Sequence, residues 1–449
     1  MTKVGPHPGT SRMIRRAVTL AITLTMVLTG PAPAALARSA DILALLRAVP
    51  GMSVQERPST EDGVRWFWLR YRQPVDHRHP EGAWFEQRVM LQHRSLDRPM
   101  VFHLTGHNVP ETMFETEPTK ILDANQISME YRYYPGSRPV PTDWTKDTFW
   151  QGASDQHRIV TALKSIYDRK WIGTGGSKGG QASVIHRRYY PDDVAGTVAY
   201  VAPNDIDDED DSAYDRFLAT VGDDPACRAR VRSLAREILE RRPAMVRLLE
   251  AAAAAHGWTF DVVGGIDRAF EYSVMDYETG FWSYNDEADC GSLPSPDASD
   301  EVLFSSFDRV LGFPFFTDQA LAPFVSVFYQ AGTEMGWPTP SYPHLRPLLR
   351  YADGYGPRSY VPRDIPMTLD QSVLRDVDRW VRARGTRLMF VNGGNDPMTA
   401  EPYRLGPGSR DSAVYTAPGV KHVFLGEVIG RLPSWQKERA IADLRRWAR

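Results

Sequence analysis

The sequence predicts an α/β protein built on a mostly parallel sheet, and three observations carry that prediction. Short apolar runs alternate with helical stretches along both ends of the chain, as they do where parallel strands are joined by crossover helices. One of those strands, Lys170–Thr174, runs straight into the tight turn Gly175-Gly176-Ser177-Lys178-Gly179 and out into a helix. Between Pro203 and about Asp370 the strands stop, and helical stretches alternate with loops rich in proline and aromatic residues.

The first element is a targeting segment. Arg12, Arg15 and Arg16 form a basic n-region, Ala17 to Leu28 an apolar h-region, and Ala35-Leu36-Ala37 an A-x-A cleavage site, so residues 1–37 read as a signal peptide and the protein as secreted. A twin-arginine signal is the weaker reading, because Ala-Val-Thr follows Arg15-Arg16. With no cysteine near the cleavage site and no second apolar run of spanning length, the mature chain is expected to be soluble and extracellular.

Residues 38–202 form the first part of the expected core. Arg65–Tyr71 and Gln87–Gln92 read as strands of a meander, Met100–Leu104 as a strand leading to the turn Thr105-Gly106-His107-Asn108, and Ile127–Tyr134 as a further core strand. A helix over Gly152–Tyr167 precedes the Lys170 strand. The helix Gln181–Tyr190 stops before Pro191, where the following ring disfavours helical backbone, and Gly196–Ala202 is the next strand.

Residues 203–370 are then a helical cap, with helices expected at Ala226–Ala255 and Ser305–Leu311. Its two cysteines, Cys227 and Cys290, are the chain's only ones. In an exported protein an even pair favours a disulfide over two buried thiols. Residues 371–449 complete the core through strands Arg387–Val391 and Ala413–Thr416 and an amphipathic helix over Pro433–Trp447.

The chemistry lies in the loops at the strand ends. Gly175-Gly176-Ser177-Lys178-Gly179 fits the G-x-S-x-G nucleophile elbow. Asp396 follows the Arg387 strand and His422 the Ala413 strand, so Ser177, Asp396 and His422 stand in the chain order of an α/β-hydrolase triad. Serine is a weak nucleophile, so His422 must take its proton, and Asp396 must fix the histidine tautomer. The developing oxyanion needs donors: the Lys178 N–H is one, and the backbone around Gly106 and His107 is the expected second. His103 and His107 have no carboxylate or cysteine at ligand spacing, so no metal and no cofactor are expected. The fold class is therefore an α/β-hydrolase with a large, mainly helical cap.

Gly176-Ser177-Lys178-Gly179-Gly180, Arg187–Val194 and Gly196–Asn204 make the chain resemble the secreted bacterial prolyl tri/tetrapeptidyl aminopeptidases. Gln73–His77, Glu130–Tyr134 and Gln151–Arg158 are similar also to the lysosomal Pro-Xaa carboxypeptidase and dipeptidyl peptidase group. The resemblance spans essentially the whole mature chain and implies a serine peptidase that removes short peptides from free N-termini by cutting after proline. The chain departs in having Thr105-Gly106-His107-Asn108 in place of a glycine-rich oxyanion loop. Gln330-Ala331-Gly332-Thr333-Glu334 is similar to a Q-x-x-T-E stretch of the lysosomal group, so Glu334 is expected to anchor the substrate ammonium or to support its anchor. Trp337 is expected to line the proline pocket.

The acidic run Asp205, Asp207, Asp208, Glu209, Asp210 and Asp211 reads first as a solvated approach to the cap, with calcium binding or ammonium capture as alternatives. A net charge of −3 with no basic stripe excludes nucleic acid and anionic membranes as partners, leaving peptide substrates and no obligate protein partner. A secreted carboxylesterase or lipase would use the same triad and is the alternative function. A non-catalytic binding protein is disfavoured by the intact set Ser177, Asp396 and His422.

Overall fold

The computed structural model describes residues 41–423 and 427–449, so the expected signal peptide, residues 1–37, lies outside the described residues. Helix α1 (Ile42–Arg47) leads into an antiparallel meander of β1 (Met52–Arg57), β2 (Arg65–Pro74) and β3 (Trp84–His93). There follow β4 (Met100–Leu104), α2 (Glu117–Leu122), β5 (Asn125–Met129), α3 (Phe149–Leu163), β6 (Trp171–Gly176), α4 (Lys178–Tyr189) and β7 (Gly196–Tyr200). The chain returns to the sheet only at β8 (Leu388–Gly393) and β9 (Ala413–Ala417).

All nine strands join one sheet in the order β1-β2-β3-β5-β4-β6-β7-β8-β9. Pairing is antiparallel from β1 as far as β3 with β5, and parallel from β5 to β9. Burial follows from this. Every residue of β4, β5, β6, β7 and β8 is buried, because a parallel sheet is covered on both faces, whereas β9 at the edge alternates. With its helices on both sides of this sheet, the chain has the α/β-hydrolase fold.

Two expected elements differ from the structure, each for a local reason. The strand expected over Ile127–Tyr134 ends at Met129, because the chain turns through Tyr133 at φ 68°. That turn carries the buried Arg132 onto Asp155, with Nε and Nη2 donating to its two carboxylate oxygens at 2.7 and 2.9 Å. A buried charge pair of this kind must be met in full, and the remaining Arg132 donors go to the Val75 and Lys146 carbonyls. The helix expected over Ala226–Ala255 is two helices, broken at Arg241. The break lies just before Arg242-Pro243, where the ring cannot donate an N–H and pushes the preceding residues out of helical backbone.

Between β7 and β8 the described residues hold helices and turns but no strand. The helices are α5 (Ser212–Thr220), α6 (Pro225–Glu240), α7 (Arg242–His256), α8 (Ile266–Tyr284), α9 (Asp300–Val310), α10 (Asp318–Leu321), α11 (Val325–Gln330) and α12 (Ser372–Arg384). Helix α8 is buried on most of its circumference and packs against α6, α7 and α9. Its Tyr277 ring stacks on Phe307 of α9 at 4.6 Å. The last helix, α13 (Ser434–Trp447), closes the core by laying Trp447 against Gly196, where any Cβ would come within 2.9 Å of the ring.

Cys227 of α6 and Cys290 form a disulfide, with Cα atoms 5.5 Å apart across a separation of 63 residues. Closing a loop of that length removes chain entropy from the unfolded state. Replacing both cysteines by serine should lower thermal stability by roughly 2–4 kcal/mol on that basis. The comparison of unfolding midpoints checks this, and an unchanged midpoint would show that the unfolded helical segment is not constrained by the link.

Candidate active site

The elbow begins as a strand that cannot continue. Gly175 and Gly176 end β6, Ser177 takes the sparsely populated backbone φ 54°, ψ −129°, and α4 starts at Lys178. Such a conformation costs about 1–3 kcal/mol and persists only when its surroundings hold it. Here the Ser177 N–H donates to the Tyr200 carbonyl at 2.9 Å and the Ser177 carbonyl accepts the Gln181 N–H at 3.0 Å. The turn is also wedged against the loop after β4. A Cβ on Gly106, which has φ 71°, would meet Lys178 C at 2.8 Å, and one on Gly179 would meet Thr105 C at 2.9 Å. Only glycine permits the two backbones to approach this closely.

Asp396 and His422 come together from the ends of β8 and β9. Both are buried, and His422 Nδ1 lies 3.0 Å from each carboxylate oxygen of Asp396. The Met398 N–H donates to Asp396 Oδ1 at 2.9 Å, and the His422 N–H donates to the Ser283 carbonyl of α8 at 3.2 Å. With Nδ1 directed at the carboxylate, the ring is held with Nε2 on the side away from Asp396.

Ser177 opens into a cavity of about 500 Å³. Its core side carries His107, Lys178 and Gln181. Its other side is supplied by the helical segment, with Phe324, Phe328 and Trp337 among the lining rings. That is the size and mixture expected of a small-ligand site, apolar walls with a few polar groups.

The Lys178 side chain lies beneath this site rather than in solvent. Nζ donates to the Gly106 carbonyl at 2.8 Å and sits 3.7 Å from the centre of the Tyr131 ring. Burial lowers Lys178 to about 7 and raises nearby Asp147 to about 7 and Glu334 to about 8, so the three form one coupled pocket of charge. Asp147 Oδ2 accepts the Ser326 hydroxyl at 2.7 Å. Glu334, on a single π-helical turn over Ala331–Met335, accepts the Phe149 N–H at 2.6 Å and so caps the start of α3.

The other expected site residues divide. Trp337 lines the cavity, its ring 5.5 Å from Phe328. Glu334 does not; its carboxylate faces the α3 terminus and the Lys178 pocket. Lys178, first residue of α4, has an N–H that no helical carbonyl can reach. The His107 N–H is engaged by Thr105 Oγ1 at 3.2 Å and its ring by the Tyr134 hydroxyl at 2.6 Å. Burial, Lys178 and His422 push the His107 imidazole down to about 3, and burial pushes His103 down to about 4, so both are neutral. His103 is paired with the Ser128 hydroxyl. Among the described residues no group of three His, Cys, Asp or Glu is placed to hold a metal ion.

The acidic run is not uniformly solvated. Asp207, Glu209 and Asp210 are exposed, but Asp205 is buried on the cavity wall. Asp208 accepts the Trp337 N–H at 2.7 Å and Asp211 the Thr339 hydroxyl at 2.5 Å, so the run clasps the segment carrying Trp337. Sequence reasoning missed this clasp and the Asp147 contact.

Lys178→Met should lower kcat about 10- to 100-fold with little change in KM, because the Gly106 loop loses the bond that fixes its donor. Steady-state kinetics on the folded variant checks this; a kcat within twofold of the parent would mean the loop is set without the ammonium.

The family model described as PS-10 peptidase S37 matches residues 35–449. A prolyl tri/tetrapeptidyl aminopeptidase of Streptomyces mobaraensis is 47% identical over 423 residues, covering 94% of this chain and 87% of the relative. Among solved structures, a proline iminopeptidase of Mycobacterium smegmatis aligns with 84% of this chain and 98% of its own at 12% identity and a TM-score of 0.39. An acetyl xylan esterase of Thermoanaerobacterium aligns with 91% of each chain at 10% identity and a TM-score of 0.36. Likenesses this distant, one to a peptidase and one to an esterase, do not bear on activity.

Proposed function

The chain belongs to the PS-10 peptidase S37 family and is a serine hydrolase of the peptidase kind, and from that premise we propose that it is a secreted exopeptidase releasing tri- and tetrapeptides from free N-termini by cleavage after proline. The observation that carries the reading is the strained Ser177 elbow opening into an aromatic-walled cavity in a chain 47% identical to a prolyl tri/tetrapeptidyl aminopeptidase.

Ser177 is the nucleophile. Its Oγ attacks the carbonyl carbon of the substrate proline while His422 Nε2 takes the hydroxyl proton, and Asp396 stabilises the imidazolium that forms. The carbonyl oxygen becomes an oxyanion facing the N–H groups of Lys178 and Gly106. Collapse breaks the C–N bond, His422 returns the proton to the leaving amine, and an acyl-enzyme remains on Ser177. Water, deprotonated by His422, then releases the peptide acid and restores the serine.

Proline suits this cavity because its ring is apolar, compact and fixed in φ, so it presents a rigid face to Trp337 and loses little conformational freedom on binding. Glu334 acts from behind, as a polar support for Lys178 and α3. Export agrees with the basic and apolar N-terminal pattern and with the Cys227–Cys290 disulfide, which persists in oxidising compartments. Among the described residues no helix is long and apolar enough to cross a membrane.

Ser177→Ala should abolish turnover, to less than about one part in a thousand, while the circular dichroism spectrum and melting point stay near those of the parent. A variant retaining more than a tenth of parental activity would remove Ser177 from the role. The substrate class is checked separately: a free-amine peptide 4-nitroanilide ending in proline should be hydrolysed far faster than a nitrophenyl acyl ester. The reverse order would make the protein an esterase in practice.

A further inference from the structure

Asp205 holds a carboxylate oxygen that nothing in the described protein meets. The residue is only 4% exposed, follows β7 through Val201–Asn204, and lines the same cavity as Ser177. Oδ1 accepts the Asp207 N–H at 3.3 Å, but Oδ2 has no hydrogen-bond partner. Oδ2 lies beside Gly336, where a Cβ would come within 2.7 Å of it and of Gln371 Nε2, so only glycine fits against the carboxylate here. Two further buried polar atoms on the same cavity are also unmet: Gln181 Oε1, an acceptor, and the Tyr214 hydroxyl, which burial and then the Asp205 charge push well above the usual tyrosine range.

A buried polar atom without a partner costs about 1–3 kcal/mol, and more when charged, so three on one cavity call for a ligand that supplies donors. The charge balance narrows the choice. Burial, then the neighbouring Asp208, Glu401 and Asp211, raise Asp205 to about 7, and among the described residues no Lys, Arg or His forms an ion pair with it. Asp208 accepts the Trp337 N–H and Asp211 the Thr339 hydroxyl, and among the described residues no group of three His, Cys, Asp or Glu is placed to hold a metal ion. A divalent ion would need more carboxylates than this, whereas an alkylammonium offers three N–H donors and a single charge.

Resting on the exopeptidase reading, we propose that Asp205, with Gln181 and Tyr214, is the subsite that holds the substrate's primary ammonium and so sets how many residues lie between the N-terminus and Ser177. Trp337, whose N–H is held by Asp208 of the same run, ties this end of the cavity to the wall that receives proline. An extended substrate advances about 3.3–3.6 Å per residue, so a fixed carboxylate selects peptide length as a ruler does. Glu334 is excluded from this part by its bond to the Phe149 N–H.

The test compares prolyl peptide 4-nitroanilides bearing a free or an acetylated N-terminus, with a third, acetylated peptide whose first residue is lysine, on the parent and on Asp205→Asn. The ratio of kcat/KM for the free over the acetylated peptide should fall roughly 10- to 150-fold in the variant, mainly through KM. A fall confined to the lysine-bearing acetylated peptide would place a side-chain ammonium there and overturn the length-setting role. An unchanged ratio would overturn the subsite altogether. Should Asp205→Asn fail to fold, Tyr214→Phe decides, since it leaves the charge in place and should lower the same ratio at least threefold; no change in that ratio refutes the subsite. Parent enzyme that hydrolyses none of the peptides refutes the exopeptidase reading itself, a different outcome from an unaltered ratio.

Discussion

The contact between two backbones, Thr105–Gly106 on one side and Lys178–Gly179 on the other, is the constraint on which the rest of the site depends. Parallel pairing of β4 with β6 brings the two strand ends side by side, and the absence of Cβ atoms at Gly106 and Gly179 lets the loops beyond them close to contact. The strain at Ser177 is held by this wedge and by the Tyr200 carbonyl, and the Lys178 ammonium fastens it by reaching back to the Gly106 carbonyl. A looser fit would release the serine into an ordinary turn and separate the two N–H groups proposed to receive the oxyanion.

Buried charge is the second organising feature, and it is arranged in two places with different consequences. Beneath the elbow, Lys178 is set against Asp147 and Glu334, with the Tyr131 ring face completing its surroundings. Asp147 Oδ2 accepts the Ser326 hydroxyl and Glu334 the Phe149 N–H, and Lys178 lies beside both carboxylates, although Asp147 Oδ1 has no hydrogen-bond partner among the described residues. At the cavity wall, Asp205 has acidic neighbours and, among the described residues, no ion-pair partner and no hydrogen-bond partner for Oδ2. On the proposed reading, the presence of Lys178 in one place and of no such cation in the other separates a supporting carboxylate from a recognising one.

Much of this was legible in the sequence because it depends on local rules. The strand runs around Met100, Lys170, Gly196 and Arg387 are continuous and apolar, as fully buried parallel strands must be, and the elbow glycines mark the sharp turn. Asp396 and His422 could be picked out by their positions after successive strands. What was not legible depends on distant packing. Nothing near Arg132 signals that it turns the chain to meet Asp155, and nothing in a run of aspartates tells which one folds inward. Helix α8, central to the helical segment and anchoring the His422 loop through Ser283, has no amphipathic stripe to announce it, because it is buried nearly all round. Glu334 was singled out by its neighbours in sequence, yet it is the fold around α3 that decides which way its carboxylate faces.

The central claim is that Ser177 performs nucleophilic attack on a prolyl carbonyl held in this cavity. Its most direct test is peptide mapping by mass spectrometry after treatment with a free-amine tripeptide whose C-terminal proline is replaced by its diphenyl phosphonate. The account predicts a single phosphonyl adduct, on the peptide containing Ser177, formed at a rate that falls when His422 is replaced by alanine. Modification at any other residue, or none at concentrations that label an unrelated serine hydrolase, would contradict it.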